Sequence, residues 1–211
     1  DGQQRPLARG AELDSGDTIR TGAQGRAQIR FTDGSYVSLQ PNTDFAISDY
    51  KYDGQTDGSE RGFYGLVRGA MRTVTGAIGR VNRNAYRVTT PTATVGIRGT
   101  GGVIQVLNDG STLVIGTSGI WSLTNPAGSI DVPAGVSGLA PTEPNTPPRE
   151  SNTQPQTTTT APILPEETIY VEGNNVNPDG TAQIQPSVLV SGGGYHATAF
   201  WSPNSSSATS F

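Results

Sequence analysis

Hydrophobic and polar residues alternate along most of the first two thirds of the chain. Ala27, Ile29 and Phe31, for example, are separated by Gln28 and Arg30. Because successive side chains of a strand point to opposite faces, this pattern predicts strands that are buried on one side. A sustained i, i+3, i+4 spacing of apolar residues is absent, so the sequence predicts little or no helix.

One turn signal occurs twice. The tripeptide Asp-Gly-Ser stands between alternating segments at 33–35 and again at 109–111. Asp-Gly between two alternating segments is a strong hairpin signal, because glycine accepts the positive φ that such turns need. The sequence therefore predicts two similar hairpins, over 28–39 and 103–115.

Further strands are predicted at short intervals, with glycine, asparagine or aspartate between them: 18–20, 45–50, 65–73, 86–90, 119–123 and 129–132. Many short strands at such spacing are typical of an all-β sandwich or roll. We predict one such domain over residues 1–140.

The character of the chain changes at Pro141. Seven prolines lie between Pro141 and Pro165, and each fixes φ and removes a backbone donor. This composition predicts an extended linker or strap over 141–167. The remainder, 168–211, is predicted to be a C-terminal β arm with strands near 168–172, 181–185 and 187–191.

The end of this arm carries aromatic residues but no charge. Residues 180–211 contain no Asp, Glu, Lys or Arg. Apolar groups in such a segment favour burial against another surface, and that surface is either the chain's own β domain or a neighbouring subunit. Sugar stacking on the aromatic rings is a third alternative. The candidate interaction residues are Val188, Val190, Tyr195, Phe200, Trp201 and Phe211.

Charge and composition exclude several classes of function. The 211 residues have a net charge of −4, and residues 1–140 are nearly neutral. We therefore expect no nucleic-acid binding. Cysteine is absent and His196 is the only histidine, so disulfides, thiolate metal sites and a Ser-His-Asp triad are not expected. The sequence predicts no enzyme activity, no cofactor and no membrane-spanning helix, because no apolar segment is long enough to cross a bilayer.

An acidic loop is the first candidate metal site, and the turn cluster of Asn174, Asn177 and Asp179 is a second, weaker one. Asp49, Asp53, Asp57 and Glu60 lie close together in the sequence with two glycines between them. Convergent carboxylates bind Ca²⁺, but the spacing differs from the D-x-[DN]-x-[DN]-G pattern. A solvated acidic loop is the alternative.

Three segments carry a resemblance to a known family. They are Gly-Asp-Thr-Ile-Arg-Thr-Gly at 16–22, the hairpin segment at 27–35, and Thr-Pro-Thr-Ala-Thr-Val-Gly-Ile-Arg-Gly-Thr at 90–100. With these motifs, the predicted β domain over 1–140 resembles the FecR-like domain family. The resemblance implies an all-β domain of the bacterial envelope that acts through protein contacts. The best-known members relay a signal from an outer-membrane receptor to a sigma factor.

Arg98 lies in the most distinctive of these motifs. We expect it either to form a salt bridge or stabilise a turn within the fold, or to hold a carboxylate of a partner in a bidentate contact.

The sequence also differs from the best-known family members. It lacks their cytoplasmic N-terminal region and transmembrane helix, and it starts where the first strand is expected to have passed. A missing edge strand would leave an open sheet that a partner can complete. Our first hypothesis is therefore a self-assembling subunit of an extracellular filament or surface assembly. The alternatives are a periplasmic sensor or signalling adaptor with an envelope protein partner, and a module that binds polysaccharide or peptidoglycan.

Overall fold

The structure, a computed structural model, describes residues 5–153, 188–191 and 197–200, without the side chains of 98–100 and of the last two ranges. More than half of these residues are in β-strands and few are helical, which confirms the predicted all-β class. The strands, in chain order, are β1 (Arg5–Pro6), β2 (Ala11–Leu13), β3 (Thr18–Thr21), β4 (Ala27–Phe31), β5 (Tyr36–Leu39), β6 (Asp44–Lys51), β7 (Arg61–Val74), β8 (Tyr86–Thr89), β9 (Thr94–Val106), β10 (Thr112–Asn125), β11 (Gly128–Pro133), β12 (Ser137–Ala140), β13 (Arg149–Ser151), β14 (Val188–Ser191) and β15 (Ala197–Phe200).

Three long strands build two facing layers. The first half of β7 pairs with β6 and β8, and its second half pairs with β5 and β9. The second half of β10 pairs with the first half of β9 and with β11, whereas its first half pairs with β12. Layer A therefore holds β3, β6, β8 and β11, and layer B holds β4, β5, β12 and β13. The long strands β7, β9 and β10 belong to both layers.

Aromatic side chains fill the space between the layers. Phe31 of layer B lies 5.0 Å from Tyr50 and 5.1 Å from Tyr64, both of layer A, measured between ring centroids. Tyr64 also contacts Phe45 and Tyr86 within its own layer. These rings belong to one continuous core, and tilted pairs at such distances stabilise it beyond the area they bury.

Both predicted hairpins are present and share one turn structure. The β4–β5 turn has Gly34 at φ 81°, and the β9–β10 turn has Gly110 at φ 89°. In each turn the aspartate Oδ1 accepts hydrogen bonds from the amide and the hydroxyl of the serine two residues on, at 2.9 and 2.6 Å. The repeated tripeptide therefore encodes a repeated local structure.

The structure adds two short helical segments that the sequence pattern did not predict. Helix α1 spans Ala77–Val81, and a single 3-10 turn spans Arg83–Ala85. Asp33 of the first hairpin holds α1: its carbonyl oxygen accepts from the Ala77 amide at 2.8 Å, and its Oδ2 accepts from the Ile78 amide at 3.3 Å. A tertiary contact, not a helical pattern, positions this helix.

Two boundaries differ from the sequence-based expectation. The predicted strands at 111–115 and 119–123 are one strand, β10, which continues through register shifts near Gly116 and Ser118. Such bulges bend a strand without ending it. In addition, β13 lies within the predicted linker and pairs with β12. Residues 154–167 lie outside the described residues.

The described strands of the predicted arm pair with this same chain. Strand β14 lies between β1 and β3, and β15 lies between β2 and β4, all antiparallel. The strand predicted at 187–191 thus corresponds to β14. Those predicted at 168–172 and 181–185 lie outside the described residues.

Candidate functional site

The carboxylates of the predicted calcium loop each bind a different partner. Asp49 forms an ion pair with Arg61, and Asp53 accepts from the Gln55 amide at 3.0 Å. Asp57 accepts from the Ser59 amide at 2.9 Å, and this hydrogen bond lowers the pKa of Asp57. Asp49 therefore binds across the β6–β7 pair, whereas Asp53 and Asp57 bind within their own turns.

Glu60, the fourth candidate, is 4% exposed and accepts from the Gly58 amide at 2.7 Å. No group of three or more acidic or histidine side chains converges within the described part of the chain. The loop thus resembles a set of side-chain-capped turns rather than a formed cation site.

For some of the predicted interaction residues the structure describes only the backbone, and the others lie outside the described residues. Val188 and Val190 lie in β14 and pair with Thr21 and Ile19 of β3, and Phe200 ends β15 opposite Gln28. Tyr195, Trp201 and Phe211 lie outside the described residues. The backbone of Arg98 pairs with Ile120 of β10, and its side chain is not among those described.

A row of side-chain positions crosses the outer face of layer A. The register aligns Phe63 of β7 with Arg87 of β8, Gly96 of β9, Ser122 of β10 and Asp131 of β11. Because alternate residues of a strand point to the same face, the buried residues between them belong to the core, and this row faces outward.

A second row lies beside the first and carries hydroxyl groups. Thr89, Thr94, Thr124 and Ser129 are paired in register across four strands. Thr124 Oγ1 and Ser129 Oγ are 2.7 Å apart and share a hydrogen bond. The outer face is therefore a polar surface with regularly spaced hydroxyls.

Where the two rows meet the 3-10 turn there is an open groove of about 320 Å³. Its floor includes Gly96, and a Cβ atom added there would lie 2.5 Å from Ser122 Oγ. Glycine thus makes room for the Ser122 hydroxyl, which extends over β9 on the side of Arg87. The groove is lined by Arg83, Asn84, Tyr86, Arg87, Thr94, Gly96, Ile97, Ser122 and Thr124.

Two arginines supply positive charge to this groove. The Cζ atom of Arg87 lies 4.1 Å from the centroid of the Phe63 ring, a cation–π contact between the neighbouring strands β8 and β7. Arg83 comes from the 3-10 turn, which the side chain of Asn82 caps by accepting from the Asn84 amide at 3.2 Å. Both arginines are exposed, and neither has a salt-bridge partner among the described residues.

Buried residues of the core lie below the groove. Tyr86 is 1% exposed, and its hydroxyl lies 2.7 Å from Thr73 Oγ1. Burial raises the pKa of the Tyr86 hydroxyl well above its usual range. The backbone that carries Arg83 and Arg87 is therefore anchored to the core on both sides of Tyr86.

The sequence contains a signal for this groove that is hidden in the net charge of residues 1–140. Residues 61–108 contain seven arginines and no aspartate or glutamate, although residues 1–140 as a whole are nearly neutral. Four of these arginines, at 80, 83, 87 and 98, lie close together in the sequence. A count by segment would have indicated an anion-binding surface.

Comparison with known proteins gives one family match. The family described as FecR protein matches residues 17–119. These residues span β3 to most of β10 and include both repeated hairpins and the groove arginines.

Two solved structures are also similar. Both are crystal structures of a candidate anti-sigma factor from Parabacteroides distasonis ATCC 8503. The first is 15% identical with a TM-score of 0.49, and the match covers 64% of this chain and 59% of that chain. The second is 13% identical with a TM-score of 0.45, covering 72% and 60%. This chain thus spans about three fifths of the length of the structures it matches.

The search of curated proteins found no match. Among the described residues, no helix has the length and apolar character needed to cross a membrane.

Proposed function

Since this chain carries a FecR domain, supplied by residues 17–119, we propose that it is a periplasmic sensor or signalling adaptor of the bacterial envelope. Its role is regulatory and depends on binding another envelope protein. The family match is the observation that carries this proposal, because FecR domains are envelope-associated regulatory modules. The first hypothesis, a filament subunit, remains a prediction without support from these comparisons.

The pairing of the arm favours the regulatory role over assembly by strand exchange. Strands β14 and β15 fill positions between strands of the same chain. Strand addition to a neighbour would require them to leave these positions, where they make backbone hydrogen bonds to β3 and β4. The arm as described completes its own domain.

The outer face of layer A offers a surface for a protein partner. It is polar, and it also includes Ile120, which is 41% exposed. A polar surface with isolated apolar residues is typical of non-obligate interfaces, whose overall apolar fraction resembles the rest of the surface.

The test is site-specific photo-crosslinking in the source bacterium. A photoreactive amino acid is introduced at Val67, Val81 or Ile120, which are the large exposed apolar positions of the described residues. We expect a defined envelope protein to be crosslinked from at least one position, and a change in transcription of a limited gene set when residues 17–119 are deleted. Crosslinks only between copies of this chain, together with unchanged transcription, would support the filament hypothesis instead.

A further inference from the structure

The groove between the 3-10 turn and the β8–β9–β10 face has no assigned role, and we propose that it binds a carboxylate group of a partner protein. Arg83 and Arg87 supply the positive charge, and the Ser122 and Thr124 hydroxyls supply neutral donors. This inference rests on the proposed function, because it names the contact through which the FecR domain would recognise its partner.

The geometry provides room for a carboxylate between a cation and a hydroxyl. Arg87 and Ser122 flank Gly96 on adjacent strands. Neighbouring strands lie about 4.8 Å apart, so their backbones are separated by about 10 Å, and the Ser122 hydroxyl extends over Gly96, where a Cβ atom would lie 2.5 Å from it. A carboxylate on the Arg87 side of this hydroxyl can accept from the hydroxyl and from the guanidinium.

The charged residues around the groove favour an anionic ligand. The seven arginines of residues 61–108 have no acidic residue among them in the sequence. Arg68 and Arg61 are neutralised by Asp44 and Asp49 on β6, but β7 lies between β6 and β8, the first strand of the groove. Arg83 and Arg87 have no salt-bridge partner within the described residues, and Asp131, the acidic member of the same row, is three strands away from Arg87.

Arginine also favours carboxylate recognition by its shape. Its planar guanidinium matches a carboxylate in a bidentate contact, and charge-assisted hydrogen bonds of this kind are stronger than neutral ones. The ring of Phe63 already orients Arg87, so less side-chain entropy is lost when the ligand binds.

The size of the groove limits what can enter. A volume of about 320 Å³ is at the lower end of small-molecule sites, which are about 300–1,000 Å³. It accommodates one or two side chains of an extended segment, not a folded element. We therefore infer that the ligand is a glutamate or aspartate side chain, or a C-terminal carboxylate, on an extended peptide.

The test is a titration of the ¹⁵N-labelled full chain followed by two-dimensional NMR. The probes are an N-acetyl, C-amidated Ser-Glu-Glu-Ser peptide, its Gln-Gln counterpart, an uncapped Ser-Gln-Gln-Ser peptide with a free C-terminus, and galacturonate. We expect the amides of Gly96 and Ser122 to shift with a carboxylate peptide and not with the neutral one. The two carboxylate peptides distinguish a side chain from a C-terminus.

Three variants test how single residues of the chain contribute to peptide binding. Arg87→Gln should weaken peptide binding about tenfold, the effect of losing a hydrogen bond to a charged group. Gly96→Ala fills the floor of the groove and should weaken binding with the spectrum of the folded protein retained. Arg30→Gln is the matched control, because Arg30 is also exposed and lies over an aromatic ring, that of Tyr36, at 5.7 Å, and it should bind normally.

The outcomes separate this inference from the proposed function. Equal shifts with the Glu and Gln peptides would refute carboxylate binding in the groove. Equal weakening of binding by Arg30→Gln and Arg87→Gln would refute it as well. Binding of galacturonate alone would also overturn it and favour a glycan ligand. If a protein partner is crosslinked from Val67 or Val81 and Arg87→Gln leaves that product unchanged, the regulatory function stands. The proposal that the groove binds the partner's carboxylate is then wrong.

Discussion

The indole Nε1–H of Trp121 donates a 2.9 Å hydrogen bond to the carbonyl oxygen of Gly101. Trp121 belongs to layer A and is fully buried, whereas Gly101 and Gly102 lie in the half of β9 that belongs to layer B. A Cβ atom at Gly102 would lie 2.5 Å from the indole carbons Cε2 and Cζ2. The glycine pair at 101–102 therefore lets a large aromatic side chain contact the opposite layer directly.

Gly102→Ala should destabilise the domain by about 1–3 kcal/mol, the usual effect of overpacking a core. The measurement is the free energy of unfolding in guanidinium chloride. Gly65→Ala is the control: its Cβ would meet Ala46 and Ser48 at 3.5 and 3.8 Å, which is ordinary contact. A loss as large in the control variant would show that strand glycines are sensitive in general and that Trp121 is not the reason.

Asp33 should matter more than Asp109, although the two residues occupy the same position in the repeated turn. Asp33→Ala removes hydrogen bonds to Ser35 and the contact that holds α1, and we expect a loss of about 2 kcal/mol. Asp109 is exposed and has only the serine contacts, so Asp109→Ala should cost less. Equal losses of unfolding free energy in the two variants would contradict the role of Asp33 in holding the helix.

The domain should lose stability in alkaline solution. Burial raises the pKa of Tyr50, Tyr64 and Tyr86, and the Asp33 carboxylate adds to the effect at Tyr50. Their stabilising contribution is therefore complete below the unfolded pKa of about 10. It is lost as the pH rises above that value, because the unfolded chain releases these protons first. The slope is about 1.4 kcal/mol per pH unit for each tyrosine.

Chemical denaturation between pH 8 and pH 11.5 measures this slope, and phenolate absorbance reports which tyrosines ionise on unfolding. Tyr64→Phe should reduce the slope by the share of one tyrosine. A free energy of unfolding that stays constant between pH 9.5 and pH 11.5 would show that these hydroxyls ionise as readily in the folded chain.

Removal of residues 188–211 should expose the edges of the four strands that pair with β14 and β15, namely β1, β2, β3 and β4. The amides of β3 and β4 that face β14 and β15 should exchange with deuterium faster, whereas those of β9 and β10 should remain protected. Hydrogen exchange followed by mass spectrometry measures both regions. In the intact chain, protection of β3 and β4 should not depend on protein concentration; an increase with concentration would show that the arm pairs with a neighbour.

Local signals in the sequence predicted much of the fold. Both Asp-Gly-Ser hairpins and the alternating strands β3 to β8 were predicted, because a turn and a side-chain period are properties of a short segment. Helix α1 was not predicted, because its five residues have no helical periodicity and are held by Asp33, which lies far before them in the sequence.

The candidate site was harder to predict for the same reason. Arg87, Gly96 and Ser122 meet only because β8, β9 and β10 are neighbours in layer A, and strand order is not encoded in any one segment. The acidic residues at 49, 53, 57 and 60 show the reverse case. They are close in the sequence, but each carboxylate turns to a different partner, so local density did not produce a shared site.

The sharing of β7, β9 and β10 between the layers has a mechanical consequence. A force applied to layer A acts on strands whose covalent backbone continues into layer B. The force is therefore transmitted between the layers along continuous strands and not through a loop. We therefore expect that neither layer unfolds while the other stays folded. We expect the domain to yield in a single step under force, and to behave as a stiff element between whatever holds its two faces.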